Sequence, residues 1–214
     1  MCLSAPELIT GIKDIVLALA AIVAGTVAIK GLNTWKRQLR GTADFDVARA
    51  LAKSAYKVRE KLQASRSPLL SAHEFPPEYH EAGIKRSPEQ EAKGYAFVYS
   101  NRWAPVGEAM QEFDASVLEA EALWGKPVRD ATDPLRRVVR EVNVAVDALI
   151  ANAMSEGEDF SSDKEFGKRM RSTVAALPTD SKNEVNNKLA AAVQAIDDQL
   201  RPHLQRSSQE TPSK

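Results

Sequence analysis

The chain has 214 residues with 29 basic side chains against 29 acidic ones, so it carries no net charge, and 43% of it is hydrophobic. That length holds one membrane segment and one domain able to bury a core without metals or disulfides. The charge balance excludes the electrostatic footprint of a nucleic-acid-binding protein. A lone cysteine, Cys2, excludes an intrachain disulfide framework and fits a reducing compartment.

In chain order, residues 1–7 read as a short extracytoplasmic N-terminus and 8–32 as a transmembrane helix. Ile15 to Ile29 is 15 residues without a charge, bounded by Asp14 and Lys30. At 1.5 Å per residue this run covers about 22 Å, short of a hydrocarbon core of roughly 30 Å. Leu8, Ile9, Ile12, Leu32 and Trp35 extend it, and the long stems of Lys13 and Lys30 reach the headgroups. Lys30, Lys36, Arg37 and Arg40 follow the run with no acid among them, which by the positive-inside rule places the C-terminal side in the cytoplasm and Trp35 at the inner interface. A cleaved signal peptide fits poorly, because only Lys13 precedes the run and basic residues follow it at once. Cys2 precedes the apolar run, so it is not a lipoprotein cysteine. Ala18, Ala21, Gly25 and Ala28 share one face with small-xxx-small spacing, a pattern that permits self-association in lipid.

The cytoplasmic domain is expected over 33–206, all helical. Thr42 or Asp44 caps a second helix on which Phe45, Ala48, Ala52, Ala55 and Arg59 make one stripe and Val47, Leu51, Ser54, Val58 and Leu62 another. Arg66-Ser67-Pro68 stops it, and 66–88 is a proline-rich loop. Ser87-Pro88-Glu89-Gln90 starts a third helix to about Trp124. Its core row runs through Tyr95, Val98, Arg102, Val106, Ala109, Phe113, Val117, Ala120 and Trp124, and Pro105 is expected to kink it rather than end it. Gly125-Lys126-Pro127 turns the chain. Asp133-Pro134 starts a fourth helix, apolar along Leu135, Val138, Val139, Val142, Ala145, Val146, Leu149, Ile150 and Ala153, antiparallel to the third. Glu156 to Asp163 reads as turns, Lys164 to Leu177 as a short helix, and Asp180 to Gln205 as a last helix burying Val185, Leu189, Ala192, Val193, Ile196, Leu200 and Leu204. Residues 207–214 read as a disordered tail. The whole is an all-α antiparallel bundle behind an N-terminal transmembrane helix.

Chemistry-bearing signals are sparse. His73, Glu74, Glu78, His80 and Glu81 cluster within nine residues, but the histidine spacing is not H-E-x-x-H, so the segment reads as a solvated loop. Phe75 and Tyr79 beside Pro76-Pro77 have the character of a docking segment. His203, in the last turn of its helix, reads as a C-terminal cap. No G-x-S-x-G elbow and no glycine-rich phosphate loop occurs. Arg136, Arg137 and Arg140, and Lys168, Arg169 and Arg171, read as solvated faces or membrane-surface contacts.

The segments WKRQLRGTADFDVARALAKSAYKVRE (35–60), GYAFVYSNRW (94–103), ALWG (122–125) and QLRPHL (199–204) together resemble a group of uncharacterised bacterial single-pass membrane proteins with one N-terminal anchor and a helical cytoplasmic domain. The resemblance implies that architecture and carries no activity, ligand or site residue. The expectation is therefore a non-enzymatic interaction or scaffold protein of the inner membrane, N-terminus out and C-terminus in, without cofactor or nucleic acid. Its partners would be lipid and a protein or a second copy of itself. The alternatives are an effector or sensor that oligomerises and perturbs the bilayer, and an unrecognised metal-binding or hydrolytic protein.

Overall fold

A computed structural model describes residues 5–81 and 86–206; side chains at 5–16, 18, 21, 37, 81 and 206 lie outside that description, as do Cys2 and the expected tail at 207–214. All regular structure among the described residues is helical: α1 (Ala5–Ser65), a 3-10 turn (Ala72–Glu74), α2 (Pro77–Glu81), α3 (Pro88–Trp124), α4 (Lys126–Met154), α5 (Glu158–Ser162), α6 (Lys164–Val174) and α7 (Glu184–Arg206).

The first difference from the sequence reading is α1, a single helix of 61 residues where two were expected. No proline occurs between Pro6 and Pro68, so nothing removes a backbone donor or forces a turn at Gly31, Gly41 or Thr42. Thr42 is no cap. Its hydroxyl donates to the Gln38 carbonyl at 3.1 Å, a bond made inside a helix. Val47 packs against the core, and Ala48, Leu51, Ala52, Ala55, Val58 and Leu62 are buried, as the two stripes required.

Ser87 caps α3 reciprocally: its Oγ accepts from the Gln90 amide at 3.2 Å and the Gln90 Oε1 accepts from the Ser87 amide at 2.9 Å. Val98, Val106, Ala109, Phe113, Val117 and Ala120 are buried in the expected row. Pro105 sits inside α3 without ending it. Both Pro105 and Asn101, whose carbonyl loses its donor, are exposed, so water can supply the missing bond.

Gly125 alone links α3 to α4, serving as C-cap of one and N-cap of the other at φ 73, where a side chain is strained. Consequently α4 starts at Lys126, seven residues before the expected Asp133, with Pro127 in its first turn and Pro134 inside it. Further on, Glu156 to Asp163 is not wholly turn, since Glu158–Ser162 forms α5 and buries Phe160. α6 ends at Val174 and α7 starts at Glu184, each inside the limits expected.

The C-terminal part of α1 with α3, α4 and α7 encloses one apolar core through Leu51, Leu62, Phe113, Leu135, Leu189, Ile196 and Leu200. Burial of each such side chain contributes about 1.5–3 kcal/mol. Beside this core lies Arg66, which the sequence marked only as a helix stop. It is 1% exposed. Its Nε donates to the Thr173 carbonyl at 2.8 Å, Nη1 to Asn186 Oδ1 at 2.7 Å, and Nη2 to Asn183 Oδ1 at 2.9 Å and to the Ser172 carbonyl at 3.3 Å. The charge thus sits on the last carbonyls of α6, the negative end of that helix's dipole. Burial pulls its pKa below the ordinary guanidinium value. One side chain thereby joins the end of α1, the end of α6 and the start of α7.

Candidate functional site

Among the described side chains, those of α1 between Leu17 and Arg40 are exposed rather than packed on the bundle. Leu17, Leu19, Ile22, Val23, Val27, Ile29, Leu32, Trp35 and Leu39 retain 49–64% of their surface. At about 100° per residue, Leu17, Leu32, Ile29, Leu19, Val23 and Val27 fall at roughly 0, 60, 120, 200, 240 and 280° around the axis. The apolar surface therefore goes all the way round, unlike the single stripe of a helix lying on a protein core. Lys30, Lys36 and Arg40 are exposed. Of the small-residue face, Gly25 and Ala28 are exposed and open space surrounds Gly25, whereas the side chains of Ala18, Ala21 and the interface residue Arg37 lie outside the described ones. Among the described residues no helix is long and apolar enough to cross a membrane. The apolar run includes residues 15, 16, 18 and 21, whose side chains are not among them.

The histidine segment is pinned rather than loose. Arg102, expected in the core row, grips Glu74 through Nε to Oε2 at 2.6 Å and Nη2 to Oε1 at 2.9 Å, and also donates to the carbonyls of Ser67 and Leu69 at 2.7 and 2.6 Å. The Arg102 hydrogen bonds hold the Glu74 carboxyl below its ordinary pKa. His73 Nδ1 lies 2.7 Å from the Ser71 hydroxyl, and His80 Nε2 donates to the Ala72 carbonyl at 2.9 Å. No group of three or more metal-ligating side chains assembles among the described residues. Phe75 and Tyr79 stack at 4.2 Å between centroids and lie on Gly94 of α3, where any Cβ would run into the Tyr79 ring. The aromatic pair thus docks on its own chain.

Two other side chains make contacts that the sequence did not show. Arg136 is bound to Asp114 through Nε at 2.9 Å and to Asp133 through Nη1 at 3.1 Å, so it braces α3 against α4 and does not share a solvated face with Arg137 and Arg140. His203 stacks on Trp124 with centroids 3.9 Å apart, fastening the C-terminal turn of α7 to that of α3.

The sequence did not reveal a cleft of about 720 Å³ where the start of α3 meets the end of α4, α5 and α6. Its apolar wall is Leu70, Pro88, Leu149 and Phe160, and its polar wall holds Arg86, Arg171, Tyr95, Tyr99, Asn152 and the exposed carboxylates Glu91 and Glu156. The turn after α4 shapes one side: Glu156 takes φ 55 and Gly157 φ 86, and the Gly157 amide donates to the Asn152 carbonyl at 2.8 Å, the Schellman pattern with glutamate at the position glycine prefers. Asn152 Oδ1 accepts from the Phe160 amide at 2.9 Å, leaving its NH2 to donate elsewhere. The Arg86 guanidinium lies 3.9 Å over the Tyr79 ring and uses Nε on the Tyr79 carbonyl, and among the described residues no group accepts from its terminal nitrogens. Arg171 rests 5.2 Å over the Phe160 ring. Neither arginine has a carboxylate partner among the described residues. Burial raises the pKa of Tyr95 and Tyr99, which keeps both phenols protonated as donors at neutral pH.

The chain matches no known protein family, curated protein or solved structure.

Proposed function

We propose that the protein is a membrane-anchored, non-catalytic helical interaction or scaffold protein. Residues 8–32 would span the inner membrane with the N-terminus outside, and the bundle from Phe45 onward would stand in the cytoplasm. The observation that carries this reading is the apolar surface of α1 between Leu17 and Leu39, exposed on every side of the helix axis. A partner helix would cover one stripe of such a surface, whereas lipid covers all of it. Lys30, Lys36, Arg37 and Arg40 then meet the anionic inner leaflet, each adding about 1 kcal/mol of attraction. Partners would be lipid first, and a second copy or another protein through the bundle.

The lone Cys2 supplies the test. A membrane-impermeant maleimide should label Cys2 in cells with a permeabilised outer envelope and an intact inner membrane, and the protein should stay in the pellet after an alkaline carbonate wash. In a Cys2→Ser background, Ser155→Cys should become labelled only after lysis. Recovery of the chain in the soluble fraction, or labelling of Ser155→Cys before lysis, would refute the anchor or its orientation respectively.

A further inference from the structure

The cleft of about 720 Å³ is separate from the anchor, lying beyond the end of α1 at Ser65, at the end of the bundle remote from residues 17–40. Its volume is that of an ordinary small-molecule site. Four features point to the chemistry of an occupant. Two guanidinium groups, Arg86 and Arg171, line it without a carboxylate partner among the described residues. Tyr99 is only 7% exposed and lines the cleft, yet no described protein group hydrogen-bonds to its hydroxyl. The hydroxyl itself is not sealed off: it opens on the cleft, where a solute can accept its hydrogen bond. Tyr95, half-buried, adds a second phenol four residues earlier on the same face of α3. Finally, Leu70, Pro88, Leu149 and Phe160 form an apolar wall opposite these donors.

We infer that this cleft binds a small soluble organic oxyanion, a phosphate or carboxylate on an apolar or aromatic body, with Arg86 and Arg171 gripping the anion and Tyr95 and Tyr99 donating to it. Planar, forked guanidinium donors suit both anions. Glu91 and Glu156 are exposed and bring the formal charge of the lining to zero, which selects against a polyanion such as a nucleic acid and favours a single anionic group. Because the cleft faces away from the anchor, the ligand is a free solute and not a lipid headgroup. The exclusion of a headgroup rests on the proposed anchoring of residues 8–32, whereas the binding of an oxyanion does not.

The test titrates phenyl phosphate and benzoate, in separate experiments, into the full-length protein in detergent micelles, read by calorimetry. Saturable binding of at least one probe at one site per chain is expected. Arg171→Gln should weaken it about tenfold or more and Tyr99→Phe about three- to tenfold, with unliganded melting temperatures unchanged. Arg137→Gln, an exposed arginine outside the cleft, should bind like the parent. The inference is overturned if neither probe saturates, if Arg137→Gln weakens binding as much as Arg171→Gln, or if Tyr99→Phe and Arg171→Gln both leave binding intact. Protection of the cleft by phosphatidylglycerol vesicles but by neither free anion would assign it to a headgroup and overturn the soluble ligand.

Discussion

Arg66 offers the sharpest test of how the bundle holds its distal end. In Arg66→Met the side chain keeps most of its length and loses its donors. Two of the four acceptors would be relieved by neighbours: the Ser172 carbonyl still accepts from Asn183 Nδ2 at 2.9 Å, and Asn183 Oδ1 still accepts from the Asn186 amide at 3.1 Å. The Thr173 carbonyl and Asn186 Oδ1 have no such substitute, because Arg66 alone donates to them. Each orphaned buried acceptor costs about 1–3 kcal/mol, which centres the loss near 4 kcal/mol. Relief of the guanidinium's desolvation works in the opposite direction, but removing one partner of a buried polar cluster still typically costs several kcal/mol. For a chain of this size that corresponds to a fall in melting temperature of about 8–16 °C. Arg66→Lys retains the charge and can reach one acceptor, so its loss should be about half as large. Thermal and urea unfolding followed by circular dichroism at 222 nm measures both variants. A loss below about 1 kcal/mol for Arg66→Met would show that the clamp is not what holds α6 and α7 to the end of α1.

Three further outcomes follow from close contacts and strained turns. Gly167→Ala places a Cβ at 2.7 Å from the Phe160 Cβ and 3.2 Å from its Cα, so α5 must shift; overpacking of about 1–3 kcal/mol outweighs the gain of about 0.5–1 kcal/mol from removing a helical glycine, and thermal melts should show net destabilisation. Glu156→Gly relieves a side chain at φ 55 and should raise stability by up to about 1 kcal/mol in the same assay. Glu74 has a depressed carboxyl pKa, so its stabilising effect is present above its unfolded value near 4.3 and is lost as pH falls through the folded one. Protection of the amides across 67–81, measured against their intrinsic exchange rates, should therefore fall as the pH drops through the depressed Glu74 pKa in the parent, and already be low at neutral pH in Glu74→Gln.

The elements legible in the sequence were those whose cause is local. Ser87-Pro88-Glu89-Gln90 carries its own cap chemistry, and Val106, Phe113 and Val117 repeat at helical spacing. The boundaries differ from expectation where a residue weakens helix without forbidding it. Gly41 and Thr42 lower helix propensity without preventing helix, so α1 continues, and Pro134 can ride inside α4 because Gly125 and Pro127 had already begun it. The cleft was illegible because Tyr99, Asn152 and Arg171 come from three helices, and Tyr95 read only as part of a core row. Arg66 was illegible for the same reason: its acceptors lie 106–120 residues away along the chain.

The unbroken course of α1 also fixes a rotational phase. With helix from Ala5 to Ser65, the bearing of the bundle about the axis of the N-terminal segment is set by residue count. One residue inserted between Lys30 and Phe45 would swing the cleft by about 100° and carry it about 1.5 Å outward, whereas seven would restore its bearing to within about 20° at about 10 Å greater reach. Length and heading are thus written into the chain separately, and insertions can vary one while nearly preserving the other.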